Sequence, residues 1–278
     1  MVGNFKNVAV GNKYAFIGFY DTSGRFIGGN TSAPSSGAAG SGMYRISGIK
    51  AAPVNVPESE TVQVTGDDDL IADFSFPSIA SRAFMIEVAM QDLRLEQRLL
   101  GKSVETLAGG NIGYMDITDA PEYDACLIFQ SRAKSTDADS AGRKAWVGNI
   151  IPLATAQPLG RSGFDERGVP TWRYMITPQL SSYRPWGTTL LDDSSVQFQA
   201  RFLPFSYPWP ITMHAHLGTG ALGTFNLDYA PIDSSSIASF VNRVAQTVSS
   251  VSVPNKTLTL SGNPASNAYL TTLYQFNG

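Results

Sequence analysis

Apolar and polar positions alternate with a period of two over much of this chain. In residues 13–20, KYAFIGFY, and 43–49, MYRISGI, aromatic and β-branched residues dominate, which is the character of strands. Residues 60–65, ETVQVT, alternate strictly, so that a strand would put Val62 and Val64 on one side and Thr61 and Gln63 on the other. Gly66 and three aspartates then interrupt the pattern, and 70–76, LIADFSF, resumes it with Leu70, Phe74 and Phe76. The stretch reads as strand, turn, strand. Further strands are expected at 83–90, 125–133, 145–160, 171–180, 194–205, 211–217 and 222–229, and the tail segments 256–260 and 268–276 are β-like.

The period changes in two places. In 91–101, QDLRLEQRLLG, residues Leu93, Leu95, Leu99 and Leu100 suit a short helix, with Asp92 as N-cap and Gly101 just past its end. In 237–251, Ile237, Phe240, Val241, Val244, Val248 and Val251 fall at helical spacing, with strand as the alternative because Ser, Thr and Val abound. Short strands in series with one or two short helices predict a mainly β fold, an antiparallel sandwich or barrel. A single domain spanning 1–278 is expected, with a core of 1–230 plus a C-terminal extension of 231–278 as the reserve reading. Residues 28–42, GGNTSAPSSGAAGSG, hold too little apolar surface to fix one conformation alone. They read either as a flexible surface loop or as an arm that orders against a neighbouring subunit.

Composition sharpens this picture at one point. Charged residues make up 15% of the chain, against roughly 25% in soluble domains. A surface this sparsely charged is poorly protected against association, which favours cover by partners. The net charge is −3 and no cluster of Lys and Arg is present, so stable nucleic-acid binding is not expected. No segment approaches the roughly 20 apolar residues of a membrane span, and a soluble protein made in the cytoplasm is expected.

Candidate chemistry is thin. Asp67, Asp68 and Asp69 lack the alternating spacing by which calcium loops converge their ligands, and read as the solvated corner of a turn. His214 and His216, the two histidines, would share one face of a strand, where a satisfied pair is favoured over a metal site lacking further ligands. Cys126 sits in the apolar run ACLIFQ and reads as a buried thiol. Around Ser162, GRSGF lacks the spacing of a nucleophile elbow. Trp146, Trp172, Trp186 and Trp209 would serve either as core and interface anchors or as sugar platforms. No enzyme, catalytic residue, metal or cofactor is expected.

The run from Thr65 to Gly101, TGDDDLIADFSFPSIASRAFMIEVAMQDLRLEQRLLG, resembles the strand, hairpin and helix arrangement of long-tailed bacteriophage tail tube proteins (major tail proteins). So does CLIFQSRAKS followed by WVGNIIPLATAQPLGRSGFDERGVPTWRYMITPQ, and the likeness covers about residues 60–190. The resemblance implies a structural virion protein whose copies form six-membered rings, stacked head to tail around a channel that DNA crosses without specific binding. Its partners would be copies of itself and other tail proteins at the tube ends. A capsid or decoration protein is the structural alternative, and a carbohydrate-binding module or glycosidase the alternative from another class.

Overall fold

The structure is a computed structural model that describes residues 7–30, 34, 36–51, 59–66, 69–77, 83–89, 92–100, 104–114, 124–135, 144–161, 171–187, 190 and 199–278. Its first strands are β1 (Asn7–Tyr20), β2 (Phe26–Gly28), β3 (Ser41–Gly42), β4 (Tyr44–Ile46) and β5 (Ile49–Ala51). The hairpin β6 (Ser59–Gly66) and β7 (Asp69–Pro77) follows, then β8 (Phe84–Val88), helix α1 (Leu93–Leu100), and the short pair β9 (Val104–Leu107) and β10 (Gly110–Tyr114). The long strands are β11 (Ala125–Ser135), β12 (Lys144–Arg161) and β13 (Trp172–Pro178). Beyond them come β14 (Leu203–Tyr207), β15 (Ile211–Leu217) and β16 (Thr224–Asn226). The chain ends in β17 (Ile237–Val241), β18 (Val244–Gln246), β19 (Val248–Ser252), β20 (Thr257–Leu260) and β21 (Tyr269–Gln275). The fold is mainly β, with antiparallel sheets and one short α-helix, as the alternation predicts.

The largest sheet runs β2-β1-β11-β12-β13-β8-β5, with β14 added on β12 and β4 on β1. Residues 44–51 bridge its two ends: Tyr44–Ile46 pair with β1, and Ile49 and Ala51 pair with β8. Gly48, at φ +73°, supplies the bend between them, a conformation that glycine enters at no steric cost. The sheet therefore curls back on itself. One core lies against its first face and gathers Ala15, Ile17, Leu127, Phe129, Ile151, Phe84, Ile86, Tyr174 and Ile176, with Leu95 and Leu99 of α1. A second lies against the opposite face, from Tyr14, Phe16, Cys126, Ile128 and Trp146, meeting Ile211, Met213 and Ala215 of β15. Because the two faces of β1 are both covered, Tyr14 to Phe19 are buried without interruption.

The helix obeys its sequence signals. Asp92 Oδ1 accepts a hydrogen bond from the Leu95 amide at 3.0 Å, the N-cap bond expected of it. Leu95 and Leu99, four residues apart, turn inward, and buried Glu96 accepts a bond from the Tyr174 hydroxyl at 3.3 Å. Gly101 lies outside the described residues.

The second sheet runs β18-β17-β21-β15-β3, and a third, β16-β20-β19, packs beyond it. The two large layers are pinned by Gln130. Its buried side chain donates from Nε2 to the Ile211 carbonyl at 2.8 Å and accepts the Ile211 amide on Oε1 at 2.9 Å. Strand β3 reaches only His214 and Ala215, so the Gln130 amide takes the place of a neighbouring strand at the end of β15. β15 and β21 pair across residue 230, so the boundary of the reserve reading falls inside this sheet.

Three expectations change. Residues 237–251 are not helical but form β17, β18 and the start of β19. The strand expected at 194–205 appears as Leu203–Tyr207, with 194–198 outside the described residues. Within 28–42, the described residues 36–42 are held inside the chain: Ser36 bridges to Leu217, and Ser41 and Gly42 pair with Ala215 and His214. Backbone pairing supplies what apolar side chains do not. Gly40 and Gly42 suit it because a Cβ at either position would meet the His216 ring at 2.3 Å or the Asp228 carboxylate at 1.8 Å. Gly42→Val is accordingly expected to lower the melting temperature by more than 5 °C, about 2–3 kcal/mol or more for a chain of this size, in a thermal unfolding scan.

Candidate functional site

The acidic corner nominated by the sequence is reached by the backbone only in part. Gly66 and Asp69 pair across the hairpin, with Asp67 and Asp68, outside the described residues, between them in the chain. Ser162 also lies outside the described residues. Among the described residues no group of three or more His, Cys, Asp or Glu side chains could hold a metal ion.

His214 and His216 do share a face, as the strand period requires. Their rings stack at 4.4 Å between centroids and 22° between planes. Both are buried, at 1% and 0% exposure. His216 Nε2 lies 2.8 Å from the Asn226 carbonyl, which can only accept, so this nitrogen carries the hydrogen. His214 Nε2 lies 3.2 Å from Asp228 Oδ1. Burial, aided by the neighbouring His214, pushes the His216 imidazole down to about 3, and the bond from His214 holds the Asp228 carboxyl below its ordinary range. The two rings form a packed element under β3, in which burial favours the uncharged form of His216.

This arrangement fixes a pH dependence. The unfolded chain binds a proton at His216 near its ordinary value of 6.5, while the folded chain resists protonation down to about 3. Stability is therefore full above pH 6.5 and falls as the pH drops toward 3, by about 1.4 kcal/mol per pH unit. Between pH 7 and pH 5 the loss is expected to reach about 2 kcal/mol, read from urea unfolding midpoints. His216→Gln, which retains a donor for the Asn226 carbonyl, should flatten that slope.

Cys126 is fully buried, and desolvation pushes its thiol far above the ordinary range, so it is an inert core group. The tryptophans separate by environment. Trp146 is buried against Tyr14 with centroids 5.3 Å apart, and Trp172 packs beside the first core. Trp209 is 40% exposed, and Trp186 lines a cleft.

That cleft, of about 820 Å³, opens where six segments meet. They are the β1–β2 turn, the start of β11, residues 152–153 of β12, the loop 181–187 and the tips at 242–243 and 267–271. Three arginines reach it, each lying over an aromatic ring: Arg25 over Tyr269 at 4.6 Å, Arg184 over Trp186 at 5.8 Å and Arg243 over Tyr183 at 5.2 Å. Trp186 is braced from behind by Phe240, with centroids 6.2 Å apart. No carboxylate among the described residues pairs with any of the three guanidinium groups. Among the described residues Asp124 is the one acidic residue lining the cleft. Tyr269 donates its hydroxyl to Asp21 Oδ2 at 3.4 Å, which fixes the ring beneath Arg25.

The backbone around the cleft is strained. Of the described non-glycine residues with positive φ, Asn242 (48°), Arg243 (72°) and Asn267 (62°) all line it. Asn242 and Arg243 form the two-residue turn between β17 and β18, a geometry in which glycine is preferred at the second position. An arginine there costs energy that a glycine would not.

Sequence reasoning missed this cleft, because Arg25, Arg184 and Arg243 come from distant parts of the chain. The local signal was YRPW at 183–186, where a cation is set between two aromatic residues. Comparison with protein-family models, with curated proteins and with solved structures finds no match to this chain.

Proposed function

We propose that this protein is a self-assembling structural subunit of a virion, a tail tube protein whose copies stack as rings around a channel for DNA. The observation that carries the reading is the ribbon β6–β7. Its strands pair from Ser59↔Pro77 to Gly66↔Asp69, and among the described residues no other strand joins either of them. A lone two-stranded ribbon is at best marginally stable in water. Such a ribbon, of eight and nine residues, is suited to completing itself on another molecule. Sparse surface charge and exposed Leu159, Tyr183, Tyr207, Trp209 and Val244 support the same reading. A net charge of −3 lets DNA pass along a lumen without adhering.

Electron microscopy of concentrated purified protein tests it. Hollow rods or rings of constant width are expected. Replacing residues 60–76 by a short Gly-Ser link should leave the circular dichroism and melting temperature within a few degrees of the parent while the rods disappear. A protein that stays monomeric at millimolar concentration would refute the reading.

A further inference from the structure

We infer that the arginine cleft receives the acidic segment Asp67-Asp68-Asp69 of a second copy of this chain. The inference rests on the self-assembly reading above and names the contact that would carry it. The sequence sets three carboxylates, Asp67, Asp68 and Asp69, in succession, directly after Gly66, whose backbone pairs with that of Asp69. The cleft presents three guanidinium groups that pair with no carboxylate among the described residues. A guanidinium placed over an aromatic ring still has N–H groups to offer a carboxylate, which it can bind in a forked, directional pair. The rings fix the arginines in advance and so reduce the entropy lost on docking.

Size and cost agree with the charges. A cleft of about 820 Å³ is in the range that accepts drug-sized ligands, comparable to a tight turn. Arg243 occupies a left-handed position at which glycine would serve the turn better, so the fold keeps a strained cation facing this space. In a chain with 15% charged residues, three cations without a carboxylate partner among the described residues and three acids adjacent in sequence form a complementary pair. The two patches are different surfaces of one molecule. Their contact is heterologous, the type that propagates from copy to copy and builds rings or filaments.

Two charge-reversed proteins test this. The first carries Asp67→Lys, Asp68→Lys and Asp69→Lys, and the second Arg25→Glu, Arg184→Glu and Arg243→Glu. Each alone opposes like charges and is expected to associate at least tenfold more weakly than the parent in sedimentation velocity. Mixed in equal amounts they are expected to co-assemble, since lysine segments meet glutamate clefts and aspartate segments meet arginine clefts. Association of the parent should also weaken in 0.5 M salt.

If the parent assembles and each variant alone assembles equally well, the docking inference falls while the self-assembly reading stands. If the parent remains monomeric, both fall. Should both variants assemble like the parent while the cleft binds a sulfated oligosaccharide that the glutamate protein does not bind, the occupant is a glycan and the inference is overturned. Arg243→Gly, which relieves the turn, guards against misfolding as an explanation. It is expected to melt no lower than the parent yet associate several-fold more weakly, and unchanged association would count against the contact.

Discussion

Replacing Gly148 with alanine is expected to remove more than about 4 kcal/mol of stability, the range reached only by severe core damage. Gly148 sits in β12, paired with Gln130 on β11 and with Phe205 on β14. A methyl group there would lie 2.0 Å from the Phe129 carbonyl oxygen and 2.9 Å from the Gln130 Cα. Both obstacles belong to the backbone of a buried strand, so no side-chain rotation relieves them. The sheet has to part at its centre. Urea unfolding followed by circular dichroism measures the loss, with low soluble yield as its extreme form. Gly262→Ala, where nothing lies within 4 Å, is the control and should change stability by less than about 0.5 kcal/mol.

Gln130→Leu is expected to cost about 2–5 kcal/mol. The substitution keeps the bulk of the side chain but strands the amide and carbonyl of Ile211, each worth about 1–3 kcal/mol when buried without a partner. Both bonds run between the two large layers, at 2.8 and 2.9 Å, and Gln130 has no exposed surface. Loss of the pair should loosen one layer on the other before either unfolds. Hydrogen exchange would show this as faster exchange at Ile211 than in the interior of β11. A stability change below about 0.5 kcal/mol would mean that water or the backbone replaces the glutamine without penalty.

Much of the fold was legible because strands that bury one or two faces leave a period in the chain. The hairpin at 59–77, β8, the long strands β11 to β13, and the cap at Asp92 follow from alternation and from the chemistry of turn and cap residues. The segment 237–251 misled for a definite reason. Its apolar residues belong to three short strands separated by tight turns, and folding back at Asn242 and Arg243 mimics helical spacing. Within 28–42, the pairing of residues 36–42 inside the chain was illegible because composition reports side chains. What holds Ser41 and Gly42 is the ladder to β15 and the room that glycine leaves beside two imidazoles.

The arginine cleft was illegible for a different reason. Its rings and cations are brought together by tertiary contact from distant stretches, such as Arg25 with Tyr269 and Arg243 with Tyr183, while Tyr183, Arg184 and Trp186 are near neighbours in sequence. The histidine pair, by contrast, was placed by the two-residue period on one face. Its partners Asp228 and Asn226 come from a connecting stretch that no periodicity marks.

The pairing of Gly42 with His214, like that of Asn7 with Ser135, joins residues far apart in the chain. Such ladders give a high contact order, and chains of this type close their loops late and refold in milliseconds to seconds. While the ribosome holds back the last strands, the partner of β3 and much of the cover over Tyr14 and Phe16 have not yet emerged. Nascent chains would spend that interval with apolar surface open to solvent. Slow synthesis or low temperature during expression therefore favours the native form over aggregates, by thinning the population of half-made molecules that can meet.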